Sequence, residues 1–230
     1  MRDAIVVRGG WDGHVPVQAT ELFIPFLRDR GFAVEVCSDL DVYTDAARLA
    51  AADLVVQCWS IGTITDAQAD GLAEAVRAGT GFAGWHGGIV GAFHHTTYHQ
   101  LTGGVFVHHP PGFVHHELTV APDRADHPVV AGIGPIRLHT EKYWVLTDPL
   151  NDVLATVTFD AEPADAASRV DGAGAAPGTA WHRAVTFPAV WTRNWGAGRV
   201  FVSTVGHKLD DFDVPEVRTI TERGLLWAAR

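Results

Sequence analysis

Apolar residues along the first ninety positions switch between short unbroken runs and helical spacing. Residues 4–8 are a run of the kind that becomes a buried strand, whereas 16–30 place Ala19, Leu22, Phe23, Phe26 and Leu27 on one helical face. Gly31 ends that helix, and Pro25 inside it predicts a kink or an early stop, because proline lacks the amide that the helix ladder needs. Strand signals return at 32–37, 53–59 and 81–85, with an alanine-rich short helix at 45–52 between the first two. Thr65-Asp66-Ala67-Gln68 has the spacing of a capping box, in which the Thr and Gln side chains satisfy each other's free backbone amides. It opens a helix with Ala69, Leu72, Ala73 and Val76 on one face, closed by Gly79.

Such strand–helix alternation predicts an α/β fold, a parallel sheet with helices on both faces and right-handed crossovers. Ligands in these sheets sit beyond the carboxyl ends of the strands, which would gather the turns at 9–15, 59–63 and 86–91. Residues 103–154 are less regular and predict extra strands and long loops. From 161 to 178 the chain is Ala, Gly, Asp and Pro without a period, which predicts a mobile loop or lid inside a single domain spanning 1–230. The β-rich runs 189–193 and 199–204 flank a Gly-rich connector and predict a hairpin. Asp213, followed by Pro215 and Glu216, is expected to cap a last helix lined by Val217, Ile220, Gly224 and Trp227.

Charge and composition then narrow the partners. Seventeen basic against 27 acidic residues leave a formal charge of −10, which disfavours a nucleic-acid backbone and suits a small neutral or cationic ligand. No apolar stretch approaches a membrane span, and Met1-Arg2-Asp3 leads at once into Ala4-Ile5-Val6-Val7 without a cleavage site, so a cytoplasmic setting is expected. Cys37 and Cys58 each fall in an apolar run and read as core thiols, not a disulfide. The aromatic content is compatible with a homo-oligomer.

Thirteen histidines are the compositional oddity, since imidazoles bind metals and move protons near neutral pH. His94-His95, His108-His109 and His115-His116 are adjacent pairs whose members face opposite ways in extended chain. Gly84-Trp85-His86-Gly87-Gly88 lies at a predicted strand end, where flanking glycines allow a tight turn that projects the central side chain into a cleft. Gly206-His207 also leaves a strand, His14 lies in the loop after the first strand, and Glu141 sits beside Tyr143 and Trp144. The glycines at 9–13 lack both the G-x-G-x-x-G spacing and a phosphate-binding Lys. No G-x-S-x-G occurs, and Ser60, at a strand end, has no evident base in sequence.

Together these strings resemble the ThuA-like (trehalose utilisation) family, which is similar in fold to class I glutamine amidotransferases. The resemblance is carried by Gly84-Trp85-His86-Gly87-Gly88, by Tyr98-His99-Gln100-Leu101-Thr102-Gly103-Gly104-Val105-Phe106 leading to His109-Pro110, and by Thr140-Glu141-Lys142-Tyr143. Pro188-Ala189-Val190-Trp191-Thr192-Arg193, Trp195-Gly196-Ala197-Gly198-Arg199-Val200-Phe201 and Gly206-His207 complete it. It implies a flavodoxin-like three-layer sandwich with a mainly parallel sheet and added β-hairpins. It also implies that His86 stands where amidotransferases carry a nucleophilic cysteine and His207 where they carry the activating histidine, so a glutaminase is excluded. Association with disaccharide and 3-keto-glycoside metabolism supplies the substrate class.

The resulting expectation is a sugar-metabolism enzyme acting on a disaccharide or 3-keto-glycoside by metal-assisted lyase, hydrolase or isomerase chemistry. His86, His207 and Glu141 are its expected catalytic residues. His14, His86, His109 and His207, with Glu141, are the pool of ligands for a divalent metal, zinc first and manganese or iron as alternatives. Trp11, Trp59, Trp85 and Tyr143 are the expected sugar contacts. A non-catalytic sugar-binding or regulatory module on the same fold is the alternative, and a metal-independent hydrolase using His207 or Glu141 a third reading.

Overall fold

The computed structural model describes residues 2–160 and 183–230; the loop expected at 161–178 lies outside the described residues. Strand β1 (Arg2–Gly10) leads to α1 (Pro16–Asp29), β2 (Phe32–Cys37), α2 (Ala46–Ala51) and β3 (Leu54–Ser60). Helix α3 (Asp66–Arg77), β4 (Gly81–Trp85) and α4 (Thr96–Thr102) follow. Five strands come next: β5 (Gly104–His108), β6 (Val114–Val120), β7 (Ile136–Thr140), β8 (Trp144–Thr147) and β9 (Asp152–Phe159). The chain closes with β10 (Val185–Trp195), β11 (Gly198–Ser203) and α5 (Pro215–Ala228).

The period-two alternation of β1 explains the layering. Ala4 and Val6 pack with Phe23, Ile24 and Leu27 of α1 and with Val217 and Ile220 of α5. Ile5 and Val7 point the other way, against Leu49 of α2, Leu72 and Val76 of α3 and Leu101 of α4. Helices thus cover both faces of the sheet. The capping box of Thr65 and Gln68 forms as expected. Helix α1, however, runs unbroken through Pro25. That proline is exposed, so the carbonyl it deprives of a partner lies on the wet side, while Phe23, Ile24 and Leu27 hold the helix down. At the last helix the N-cap is Val214 with no side-chain cap bond; Asp213 instead ends a 3-10 turn at Leu209–Asp213.

Among the described residues the main sheet has nine strands in the order β2-β1-β3-β4-β11-β10-β9-β6-β7, with β5 and β8 paired apart from it. The first five are mutually parallel. From β11 onward every pairing is antiparallel, so the sheet is mixed, with the expected parallel strands making up its first half. The expected hairpin is β10–β11, closed between Trp195 and Gly198. The antiparallel half shares one core with the parallel half: Leu118, Ile136, Leu138 and Leu154 belong to the same cluster as Phe23, Trp85 and Phe212. The end of the far edge strand β7 nevertheless meets the carboxyl ends of β4 and β11, since Glu141, directly after β7, lies 3.1 Å from both His86 and His207.

Candidate metal centre

His86 is the first residue of the turn that leaves β4, and its backbone is left-handed, with φ 50. A residue other than glycine stays there only if its surroundings hold it. Its Nδ1 lies 2.8 Å from the Thr204 carbonyl oxygen. A carbonyl only accepts, so Nδ1 carries the hydrogen, and the neutral ring presents a bare Nε2. Burial, the largest influence on this group, pushes the imidazole's pKa down and keeps it neutral, against the opposing pull of Glu141. Nε2 points into a tight group: the Tyr143 hydroxyl at 2.8 Å, Glu141 Oε2 at 3.1 Å and His207 Nδ1 at 3.2 Å.

His14 enters from the turn after β1. Its Nδ1 lies 2.7 Å from the Ser60 hydroxyl at the end of β3, which leaves Nε2 as its free ring nitrogen. A Cβ on Gly87 would stand 2.2 Å from the His14 ring, so the glycine after His86 is what lets the two imidazoles approach. Their centroids are 4.7 Å apart, and His14 and His207 are 5.0 Å apart. Burial first, then the neighbouring imidazoles, push His14 down to about 3. That makes it a poor general base, and Ser60 is fully buried, so a serine nucleophile activated by His14 has no support in the structure.

Glu141 follows β7 directly. Burial raises its carboxyl, but the His207 and His86 rings beside it outweigh burial and hold it well below the usual carboxylate range. Its Oε2 is 3.1 Å from His207 Nδ1. Asp211, itself buried, joins the two elements: it accepts the Thr140 hydroxyl at 2.8 Å and the backbone amides of His207 at 2.9 Å and Lys208 at 3.3 Å. One carboxylate thereby sets both the end of β7 and the loop after β11. Asp211→Asn should lower divalent-metal affinity about 10- to 100-fold, as loss of an outer positioning partner does; a competition titration with a chromogenic chelator checks it.

His14, His86, Glu141 and His207 each offer one ligand atom, and all four atoms lie within 4.8 Å of one another. Three imidazoles and one carboxylate bring more lone pairs together than the Tyr143 hydroxyl can serve. This donor set suits a borderline divalent cation in four-coordination. Of the expected ligands, His109 stands outside the group. Its Nε2 is 3.3 Å from Glu141 Oε1, the oxygen that faces away, and its Nδ1 turns to the Pro110 carbonyl.

The aromatic expectations divide. Trp85 is 1% exposed and packs between Phe23 and Phe212, at 4.9 and 5.8 Å, so it is core and cannot stack on a ligand. Trp59 is half-buried, its ring fitted against Gly9 and Gly62. Trp11 is 48% exposed and edge-on to His14 at 4.8 Å, open to a ligand above the centre. Tyr143 is buried and stacked on His86 at 4.1 Å. Sequence reasoning did not find the roles of Asp211 and the Thr204 carbonyl. An acidic stretch four residues past Gly206-His207 was the only trace of the first, and a backbone acceptor leaves none.

The fold is shared with solved structures at low identity. A ThuA-like protein from Bacteroides uniformis matches with TM-score 0.72 at 17% identity, over 99% of this chain and 91% of that one. A ThuA-like protein from Parabacteroides merdae gives 0.67 at 17%, over 99% and 89%. A cytoplasmic protein from Salmonella typhimurium gives 0.59 at 12%, over the whole of both chains. No curated protein matches the sequence. Among the described residues no helix is long and apolar enough to cross a membrane. The family model for ThuA, trehalose utilisation, matches residues 3–228, and the chain belongs to that family.

Proposed function

We propose that this chain is a sugar-metabolism enzyme that eliminates or hydrolyses the glycosidic bond of a 3-keto-glycoside, with a divalent metal held by His14, His86, Glu141 and His207. The carrying observation is the bare Nε2 of His86, aimed by the Thr204 carbonyl at a carboxylate and a second imidazole. When bound, the ion would supply Lewis acidity that makes the C–H beside a sugar ketone more acidic. The protein's own groups do the rest. His109, whose Nε2 stands beside the outer oxygen of Glu141, takes the proton from C2; the C1–O bond breaks, and the departing oxygen receives a proton handed on from the same ring, which regenerates it, while Glu141 stays ionised as a ligand and orients that ring. His109, on the outer oxygen and 29% exposed, connects Glu141 to solvent. Tyr143, whose pKa burial raises well above the ordinary phenol value, keeps its proton and donates to an oxygen at the centre.

The parallel strands run in the order β2-β1-β3-β4-β11, the flavodoxin-like order, which supports that reading of the scaffold and a site beyond its carboxyl ends. Two buried free thiols suit a reducing, cytoplasmic setting.

Metal analysis and turnover of a 3-keto-disaccharide test the proposal together. The expected result is about one zinc, manganese or iron ion per chain, with activity lost to a chelator and restored by the ion. Turnover that survives chelation would favour the metal-independent hydrolase, and tight glycoside binding with no turnover would favour the sugar-binding module.

A further inference from the structure

A cavity of about 550 Å³ opens beside the centre, between the turns after β3 and β4 and strand β5. Its walls are Ile61, Val90, Phe93, Val105 and Phe106, with backbone at Gly62, Gly91 and Ala92. Among the described residues, only Thr63 and His94 bring polar side chains to it. Phe106 belongs to both places: its ring is 4.3 Å from Tyr143 and 5.8 Å from His109, while Tyr143 stacks on His86. The walls are tied together by backbone hydrogen bonds from Ile61 to Gly91 (3.1 Å), Gly62 to Ala92 (2.8 Å) and Phe106 to Val90 (2.9 Å). The cavity is therefore preformed.

Ile61 supplies an independent observation. Its φ is 52, a left-handed conformation that a β-branched side chain adopts only under strain, and it is 68% exposed at the cavity rim. Glycine or asparagine would occupy that turn at lower cost, so packing among the described residues does not account for an isoleucine there. An apolar ligand at the rim does.

We infer that this cavity is a subsite for an apolar aglycone, an alkyl or aryl group carried on C1 of the sugar, so that the enzyme takes glycosides of apolar alcohols or phenols in preference to disaccharides. A second sugar ring would bury its hydroxyls against carbons with almost no polar side chain to receive them, whereas an alkyl or aryl group needs none. The inference rests on the proposal that the neighbouring centre binds the glycosyl part.

Calorimetric titration of the full-length protein with methyl, butyl and hexyl glucosides tests it. Affinity should climb about three- to fourfold per added methylene, the factor expected for burying each one. Ile61→Gly and Ile61→Asn both tolerate the left-handed backbone, so neither should melt below the native protein, and both should pull the hexyl-to-methyl affinity ratio down toward one. Equal affinity for all three glucosides would overturn the aglycone subsite and leave the sugar reading standing. A length dependence unchanged in both variants would also overturn it, by placing the chain elsewhere. No binding of any glucoside while a 3-keto-disaccharide is still turned over would overturn the subsite alone; no binding together with no turnover of the keto-disaccharide would overturn both.

Discussion

Replacing His86 by alanine should reduce turnover of a keto-glycoside by about a thousandfold or more and abolish stoichiometric metal binding, with the fold intact. The substitution removes the Nε2 lone pair and leaves the Thr204 carbonyl and the Tyr143 hydroxyl without their partner. The backbone at 86 is left-handed, which allows a sharper comparison. His86→Gly loses the same chemistry but relieves the strain, so it should be more stable than His86→Ala by about 1 kcal/mol. Both variants should be inactive and metal-free, and they should differ in melting temperature. If either retained turnover and a bound ion, the centre would not be where the geometry puts it.

Acidification of the metal-free protein should destabilise it from a pH well above that of ordinary acid unfolding. His14 binds its proton near pH 6.5 when unfolded but only at about 3 when folded. Between those values the unfolded chain holds the extra proton, so stability is complete above pH 6.5 and falls as pH drops through this window. The slope is about 1.4 kcal/mol per pH unit for each such group, so His14 alone removes roughly 2 kcal/mol between pH 6.5 and 5. His86, also depressed by burial, acts in the same direction. Glu141, with its folded value lowered, adds a further loss only below about pH 4.5. Urea titrations of chelator-treated protein at pH 7 and pH 5 measure the difference. His14→Gln should flatten it, and an equally steep loss in that variant would remove His14 as the source.

Much of the parallel half was legible because its signals are local. The runs at 32–37 and 81–85 are strands with those bounds, and the capping box and the β10–β11 hairpin form where their side chains require. The convergence of positions 14, 86 and 207 followed from the rule that strand carboxyl ends share one rim. Beyond that hairpin the strand order of the antiparallel half was not legible, because β6 pairs with β9 across the intervening β7 and β8, and such non-local pairing leaves no local pattern. Trp85 misled for a related reason: every residue of β4 is buried, so no alternation distinguishes a side chain under the helices from one facing the cleft. His109 and Glu141 both stood in the expected ligand pool, because sequence gives no bond vectors to separate them. Both are near, but only the carboxylate oxygen turns inward.

Glu141 follows the last strand in a sheet order where β7 is five places from β4, yet it closes on His86. The donor set is consequently absent from any partly folded chain in which the two halves of the sheet have not met. An ion seated there would act as a clasp between His14 near one end of the chain and His207 near the other, and its capture would report that both halves of the sheet have come together.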